Sequence, residues 1–332
     1  MKILSRYAGL LALLFVLACN SEPAPPPAQP AQPKPEVRIP RFSSDSAFVA
    51  IEKQLAYGPR VPNTKAHDRC REWLAASFEG YGAAVIQQGF EAKAYDGTLL
   101  RGTNIIAQYA PAASKRIVLA AHWDSRHISD QDAAPENRQK GVPAADDGGS
   151  GVAVLLEIGR LLGENPIENL GVDLVLFDAE DYGDGENNNP TSWCLGSQHW
   201  SRNPHRKGYR AKYGILLDMV GAKNARFTKE EYSRYYAQPI VDKVWRMAQN
   251  MGYGNYFVDQ DSRAVTDDHF YVNSIAKIPM IDIINRSTET NSGFGHYWHT
   301  QQDNIDIIDK RTLRAVGQVM LATIYNESMG RF

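Results

Sequence analysis

Cysteine is scarce in this chain, with 3 in 332 residues. That scarcity excludes a disulfide-stapled scaffold and a zinc cluster built from thiolates. No charge sign is in large excess either. Lys and Arg number 36 against 38 Asp and Glu, a formal net charge of -2, so no broad positive field faces a phosphate backbone and no nucleic acid partner is expected. The dinucleotide fingerprint GxGxxG, the P-loop, CxxC and the GxSxG nucleophile elbow are missing, and Gly148-Gly149-Ser150-Gly151 does not supply the last of them. What is present is a chain with 43% hydrophobic residues, ordinary for a globular protein of one large or two average domains.

The apolar run at the start is also short. Lys2 and Arg6 precede a stretch of 11 residues, Ala8 to Ala18, against the roughly 20 that a membrane-spanning helix needs. Residues 1–18 therefore read as a secretion signal. Val16-Leu17-Ala18-Cys19 is similar to the bacterial lipoprotein signal, in which a cysteine is lipidated and becomes the new N terminus. That resemblance implies an exported, lipid-anchored protein of the bacterial cell envelope, periplasmic or outer-membrane associated, held through Cys19. Residues 19–40 follow as a tether. From Asn20 to Pro40, 8 of 21 residues are Pro, which stiffens the chain toward polyproline II.

From residue 41 the apolar spacing alternates between helical and strand periods. Phe48, Ile51 and Leu55 recur at helical spacing after a Ser44 or Asp45 cap and before Gly58-Pro59. A second predicted helix carries Ala66, Cys70, Trp73, Leu74 and Phe78 on one face. Runs at 84–86, 104–109, 117–121, 172–177, 214–217 and 281–284 predict strands, several apolar almost throughout, as strands covered on both faces must be. Helices are predicted at 150–162, about 239–251, and 309–325. The alternation predicts a single α/β domain over residues 41–332, a three-layer α/β/α arrangement around a mostly parallel, mixed central sheet.

In an open α/β sheet, ligands bind beyond the carboxyl ends of the strands. The runs there lead into His122-Trp123-Asp124, Asp178-Ala179-Glu180-Asp181 and Asp218. Two loops add Asp146-Asp147-Gly148-Gly149 and His296-Tyr297-Trp298-His299-Thr300. Taken singly, each fits a bland role: Asp before Gly-Gly is usually a turn or cap, and a histidine beside aromatics usually packs. Together they collect carboxylates and imidazoles without thiolate, the donor chemistry of a catalytic rather than a structural zinc. The acidic stretch at 181–189 lacks the spacing of a calcium loop.

Read in order, the motifs resemble the zinc-dependent aminopeptidase-like family M28, and within it the glutaminyl-peptide cyclotransferases. The residues that carry the resemblance are His122-Trp123-Asp124, Asp147 ten residues before Glu157, Phe177-Asp178-Ala179-Glu180-Asp181, Leu217-Asp218-Met219 and His299-Thr300. It implies Asp147, Asp181 and His299 as ligands of one zinc ion per chain, with Asp146 a competitor for the first place. It implies Glu180 as general base and acid. Trp298 before His299, and the segment Thr266-Asp267-Asp268-His269, resemble the cyclotransferase branch. On that likeness Trp298 and Trp193 wall the substrate pocket, and Asp218 and Asp267 join in proton and hydrogen-bond work. The implied reaction cyclises N-terminal glutamine of peptides or proteins to pyroglutamate and releases ammonia. Burial is expected to raise the Glu180 pKa toward neutrality.

Two other readings stay open at this level. His122 and Asp218 occupy the second-metal positions of the dizinc M28 aminopeptidases, which activate water. A non-catalytic envelope peptide-binding protein could also keep the fold, although every acidic and imidazole position of the motif set is filled here. Cys70 and Cys194 could pair after export or stay as buried thiols.

Overall fold

The computed structural model describes residues 38–187 and 189–332. The predicted leader at 1–18, the lipidation site Cys19 and the tether through residue 37 lie outside them.

Helix α1 (Ser44–Leu55) begins at Ser43, whose side chain accepts from the Ser46 N–H. The cap falls one residue before the expected Ser44 because that hydroxyl is buried and accepts from Arg314. Helix α2 (Lys65–Gly80), capped by Thr64, buries Cys70, Leu74 and Phe78 as the spacing predicts. Strands β1 (Ala84–Lys93), β2 (Leu99–Tyr109), β3 (Arg116–His122), β4 (Gly171–Phe177), β5 (Gly214–Asp218), β6 (Phe227–Lys229), β7 (Phe257–Asp261) and β8 (Met280–Ile284) follow. Six of them form one mixed sheet in the order β1-β2-β4-β3-β5-β8. The pairs β3–β4, β3–β5 and β5–β8 are parallel, whereas β1–β2 and β2–β4 are antiparallel.

Every apolar run read as a strand belongs to this sheet. Strand β1 is much longer than its apolar run because backbone pairing with β2 carries an edge whose side chains are mostly solvent-facing. Alternation explains why the central strands look apolar throughout. Ile117, Leu119 and Ala121 join one core with helices α1 and α3 (Gly149–Glu164), while Val118 and Ala120 join a second core with Trp200 of α4 (Leu195–Arg202). Helix α5 (Glu231–Asn250) starts eight residues before the predicted 239, with non-helical Ala237 marking a kink before Pro239. The short helices α4 and α6 (Asp268–Tyr271) escaped the periodicity because so few residues hold little of it. Helix α7 (Lys310–Ser328) is capped by Asp309 and closes the described chain.

Near the strand ends opposite the carboxyl rim, a buried ion pair ties β3 to β4. Arg116 Nε donates to Asp173 Oδ2 at 2.8 Å, Nη2 pairs with Oδ1, and Tyr209 and Gln108 donate to the same carboxylate. Both charged side chains are within 1% of full burial. Removing one partner strands the other charge in the core. Asp173→Ala should lower unfolding free energy by about 3–5 kcal/mol, read from the urea midpoint; a change under about 1 kcal/mol overturns this account of the pair.

Candidate metal and active site

Three parallel strands deliver their terminal residues to one rim: β3 ends at His122, β4 runs into Asp178, and β5 ends at Asp218. The backbone turns sharply just beyond. Ala179 and Met219 adopt left-handed φ of 52° and 48°, and His299 itself has φ 57°. Such strain persists where surrounding contacts over-determine it, and it gathers at functional sites. Gly148, φ 82°, is forced by contact as well as conformation, since a Cβ there would sit 2.8 Å from His122 Cε1.

Dedicated carboxylates hold these turns. Asp124 accepts the Glu180 N–H on Oδ1 and the Asp181 N–H on Oδ2, both at 3.1 Å. Asp303 does the same for the N–H groups of Asp146 and Asp147, at 2.8 and 3.0 Å. Asp132 Oδ2 accepts the Gln301 N–H, tying down the turn after His299. Asp178 bonds His67 Nε2 and the Thr103 N–H, so it supports the rim from behind. Glu157 pairs with Arg160 on α3, apart from the rim. Asp124 belongs to the His122-Trp123-Asp124 motif, where the sequence assigns it no role, whereas nothing in the sequence points to Asp303, whose donor partners are 157 and 156 residues away.

Asp147, Glu180, Asp181, Asp218, Asp267, Trp193, Trp298 and His299 line one pocket of about 440 Å³. His122 sits beneath it, Nε2 lying 3.0 Å from Asp147 Oδ1 and 3.2 Å from Asp218 Oδ1. On the other side of Asp147, His299 Nε2 lies 3.7 Å from Asp147 Oδ2 and 3.1 Å from Asp181 Oδ1. Asp146 does not compete for this place, because its oxygens accept from Gly221 N and Tyr297 OH. The ligand atoms of Asp147, Asp181 and His299 lie within 4.8 Å of one another, and so do those of His122, Asp147 and Asp218.

The first of these sets fits a zinc ion. Asp181 is 2% exposed, yet neither of its oxygens has a hydrogen-bond partner among the described residues. Its charged neighbours, His299 at 3.1 Å and Arg126 at 3.8 Å, offset the charge in part, but burying a carboxylate without a hydrogen bond is costly. A divalent cation between two carboxylates and an imidazole removes that cost and retains an open position for substrate. The second set shares Asp147, so the chain also presents donors at the place of a second ion.

The indoles of Trp298 and Trp193 flank His299, with ring centroids 3.6 and 6.1 Å from the imidazole and nearly parallel planes. Arg126 lies 4.6 Å over the Trp193 ring and donates to the carbonyls of Asp181 and Gly183. Burial pushes Glu180 well above the usual glutamate range; Asp181, Asp267 and Asp268 add to this and His122 opposes it. Burial likewise lifts Asp218 to about 8, against His122 and with the help of Asp267. No hydrogen bond joins Asp218 to Asp267 among the described residues; Asp267 Oδ2 has no hydrogen-bond partner there, and Asp218 Oδ1 has only the ionic neighbour His122 at 3.2 Å. Cys194, which escaped the sequence reading as a site residue, donates its thiol to Glu180 Oε1 at 3.2 Å. It is a free cysteine, as is Cys70.

Residues 104–324 match the model of peptidase family M28. The chain belongs to that family. The glutaminyl-peptide cyclotransferase of Drosophila melanogaster is 27% identical to this M28 protein over 291 residues, 79% of this chain and 75% of that one. The structure of a Bacteroides thetaiotaomicron glutaminyl cyclase bound to N-acetylhistamine is 49% identical with TM-score 0.85, covering 87% of this chain and 99% of its own. A protein described as a Zn-dependent exopeptidase from Parabacteroides distasonis is 51% identical with TM-score 0.85, covering 87% and 100%.

One more carboxylate positions this M28 site from a distance. Glu230 Oε1 accepts the N–H groups of Tyr232 and Val265, and Oε2 accepts from Ser233 N and meets His269 Nε2 at 3.1 Å, which fixes the segment bearing Asp267. Burial opposes its charge, but His269 and the N–H donors outweigh this and hold it down at about 2, against 4.5 for an ordinary glutamate. Because the folded-state value is the lower one, ionised Glu230 stabilises the fold by about 3 kcal/mol above pH ~4.5, and that contribution is lost as pH falls toward 2. Glu230→Gln should flatten the fall in stability across that window in denaturation curves taken at stepped pH. A wild-type slope retained in the variant would refute this.

Proposed function

We infer that this chain is a zinc-dependent glutaminyl-peptide cyclotransferase, converting N-terminal glutamine of peptides or proteins to pyroglutamate with release of ammonia. The observation that carries the reading is the pocket, where the Glu180 carboxyl, 12% exposed, borders a carboxylate and imidazole donor set under the indoles of Trp193 and Trp298. The similarity to the Bacteroides thetaiotaomicron glutaminyl cyclase and the Drosophila melanogaster cyclotransferase supports it.

N-terminal glutamine carries both reactants, its α-amine and its side-chain amide carbon. The enzyme's task is to fold one back on the other and to move a proton. Asp147, Asp181 and His299 would hold one zinc ion, which when bound supplies Lewis-acid polarisation of the amide carbonyl. Trp193 and Trp298 pack on the glutamine methylenes and exclude water, favouring ring closure over hydrolysis. Glu180 Oε1 is fixed by the Cys194 thiol, so its other oxygen is the one presented to substrate. As the bond from the amine nitrogen to the amide carbon forms, Glu180 takes the amine proton. It returns that proton to the departing nitrogen, which leaves as ammonia. The raised pKa suits both halves of this exchange. Asp218 and Asp267, close neighbours of this centre, orient the leaving amide.

The test is an ammonia-release assay on a Gln-initiated dipeptide beside a leucine-anilide peptidase assay, on one zinc-loaded preparation whose metal content is measured. The expected result is ammonia with pyroglutamyl product, about one zinc per chain, and a loss of roughly 10²–10⁴ in kcat for Glu180→Gln. The second donor set of His122, Asp147 and Asp218 favours a second reading, a dizinc aminopeptidase. Anilide cleavage without ammonia, with two zinc ions per chain, would establish that reading and sink the first.

Export and lipid attachment at Cys19 belong to the same proposal, resting on the run Lys2 to Cys19. Cells fed radiolabelled palmitate should label the wild-type protein in the membrane fraction and leave Cys19→Ala unlabelled. Equal labelling of the two discards the anchor.

A further inference from the structure

Arg286 is the one Lys or Arg among the residues lining the pocket, which is otherwise crowded with carboxylates. It lies two residues beyond Ile284, the partner of Asp218 across β5 and β8, so it stands on the same rim. Its guanidinium is 4.6 Å from the centre of the Phe294 ring. Gly293, φ 78°, also lies against it, since a Cβ there would come within 2.5 Å of Nη2. The loop that brings both is closed on itself, Ser287 N donating to Gly293 O and Gly293 N to Thr290 O. Arg286 is thus held by stacking and by shape.

Its hydrogen-bonding capacity is unspent. Nη1 is buried without a partner, and no side-chain nitrogen of Arg286 donates a hydrogen bond among the described residues. The acids that pull on it, Asp282 and Glu230, are buried and do not line the pocket, and burial lowers its pKa against their pull. A guanidinium carries five donors in a planar fork suited to carbonyl and carboxylate oxygen. Of these donors only Nη1 is buried without a partner, so Nε and Nη2 keep contact with solvent and a ligand oxygen entering the pocket can take the place of water on them.

We propose that Arg286 is a substrate-binding residue that takes the main-chain oxygen of the second residue of the substrate, a carbonyl in longer peptides and a carboxylate in a dipeptide. This subsite deepens the cyclotransferase reading and rests on it. The amine and side-chain amide of the first residue are turned inward to Glu180 and the zinc ligands. The chain then leaves along the rim, where one residue advances about 3.3–3.6 Å. Arg286 is the cationic donor on that path, and the surrounding carboxylates repel oxygen anions that do not reach it. Carboxylate should gain more from it than carbonyl, because the paired bond is charge-assisted.

The test compares wild type, Arg286→Gln and Arg286→Lys on three compounds: glutamine α-amide, which has no second residue, Gln-Ala amide, and the free acid Gln-Ala. Arg286→Gln should raise KM about tenfold or more for Gln-Ala and by a smaller factor for Gln-Ala amide. Its kcat should stay within about twofold, and glutamine α-amide should turn over as in wild type, which also reports an intact fold. Arg286→Lys should recover most of the loss on Gln-Ala, where charge counts, and less on the amide. Equal losses on all three compounds, or no loss on any, would overturn the proposal. A wild type that releases no ammonia from any of them would instead overturn the cyclotransferase reading.

Discussion

Mutual repulsion among buried carboxylates is the constraint on which the rest of this structure depends. Asp147, Glu180, Asp181, Asp218 and Asp267 share one pocket, and like charges so close cannot all stay ionised without compensation. His122 and His299 supply part of it, each wedged between carboxylates. A cation held by Asp147, Asp181 and His299 would supply more. Burial first, and with it the repulsion left uncompensated, keeps Glu180 and Asp218 protonated at higher pH than ordinary acids, and a carboxyl that can both take and return a proton near neutrality is suited to ring closure with ammonia release.

A further set of acids holds this arrangement in place by a different device. Asp124, Asp303 and Asp132 accept backbone N–H groups from the very turns that bear Glu180, Asp181, Asp147 and His299. The left-handed residues Ala179, Met219 and His299 show that these turns are not relaxed on their own, so buried acceptors fix what local preference would not. Glu230 plays the corresponding part for the Asp267 segment. These acceptors hold the turns that line the pocket, and its rim is built from the loops bearing Trp193, Arg286 and Trp298.

Much of this was legible in the residues. The apolar runs located all six strands of the main sheet, because strands covered on both faces have no alternative to apolar residues. By the family resemblance the spacing to Glu157 favours Asp147 over Asp146, and in the fold the oxygens of Asp146 are taken up by Gly221 and Tyr297. Helix α4 and the early start of α5 were not legible: one is short and polar, and the other runs through a proline. Cys194 read as a thiol that could pair with Cys70, and folding spends it on Glu180 instead.

The sequence by itself determined the α/β class, the set of carboxylate, imidazole and indole side chains and their order along the chain. Each of these is a property of residue type and near-neighbour spacing. Only the tertiary structure decided which acids face the pocket and which are spent on backbone N–H groups, because both kinds of aspartate read alike in one dimension. It also decided that Asp147 is shared between two donor sets and that Arg286 stands with its donors free on a rim of acids. Those outcomes depend on distances between residues far apart in the chain, such as Asp303 and Asp147, which no local pattern encodes.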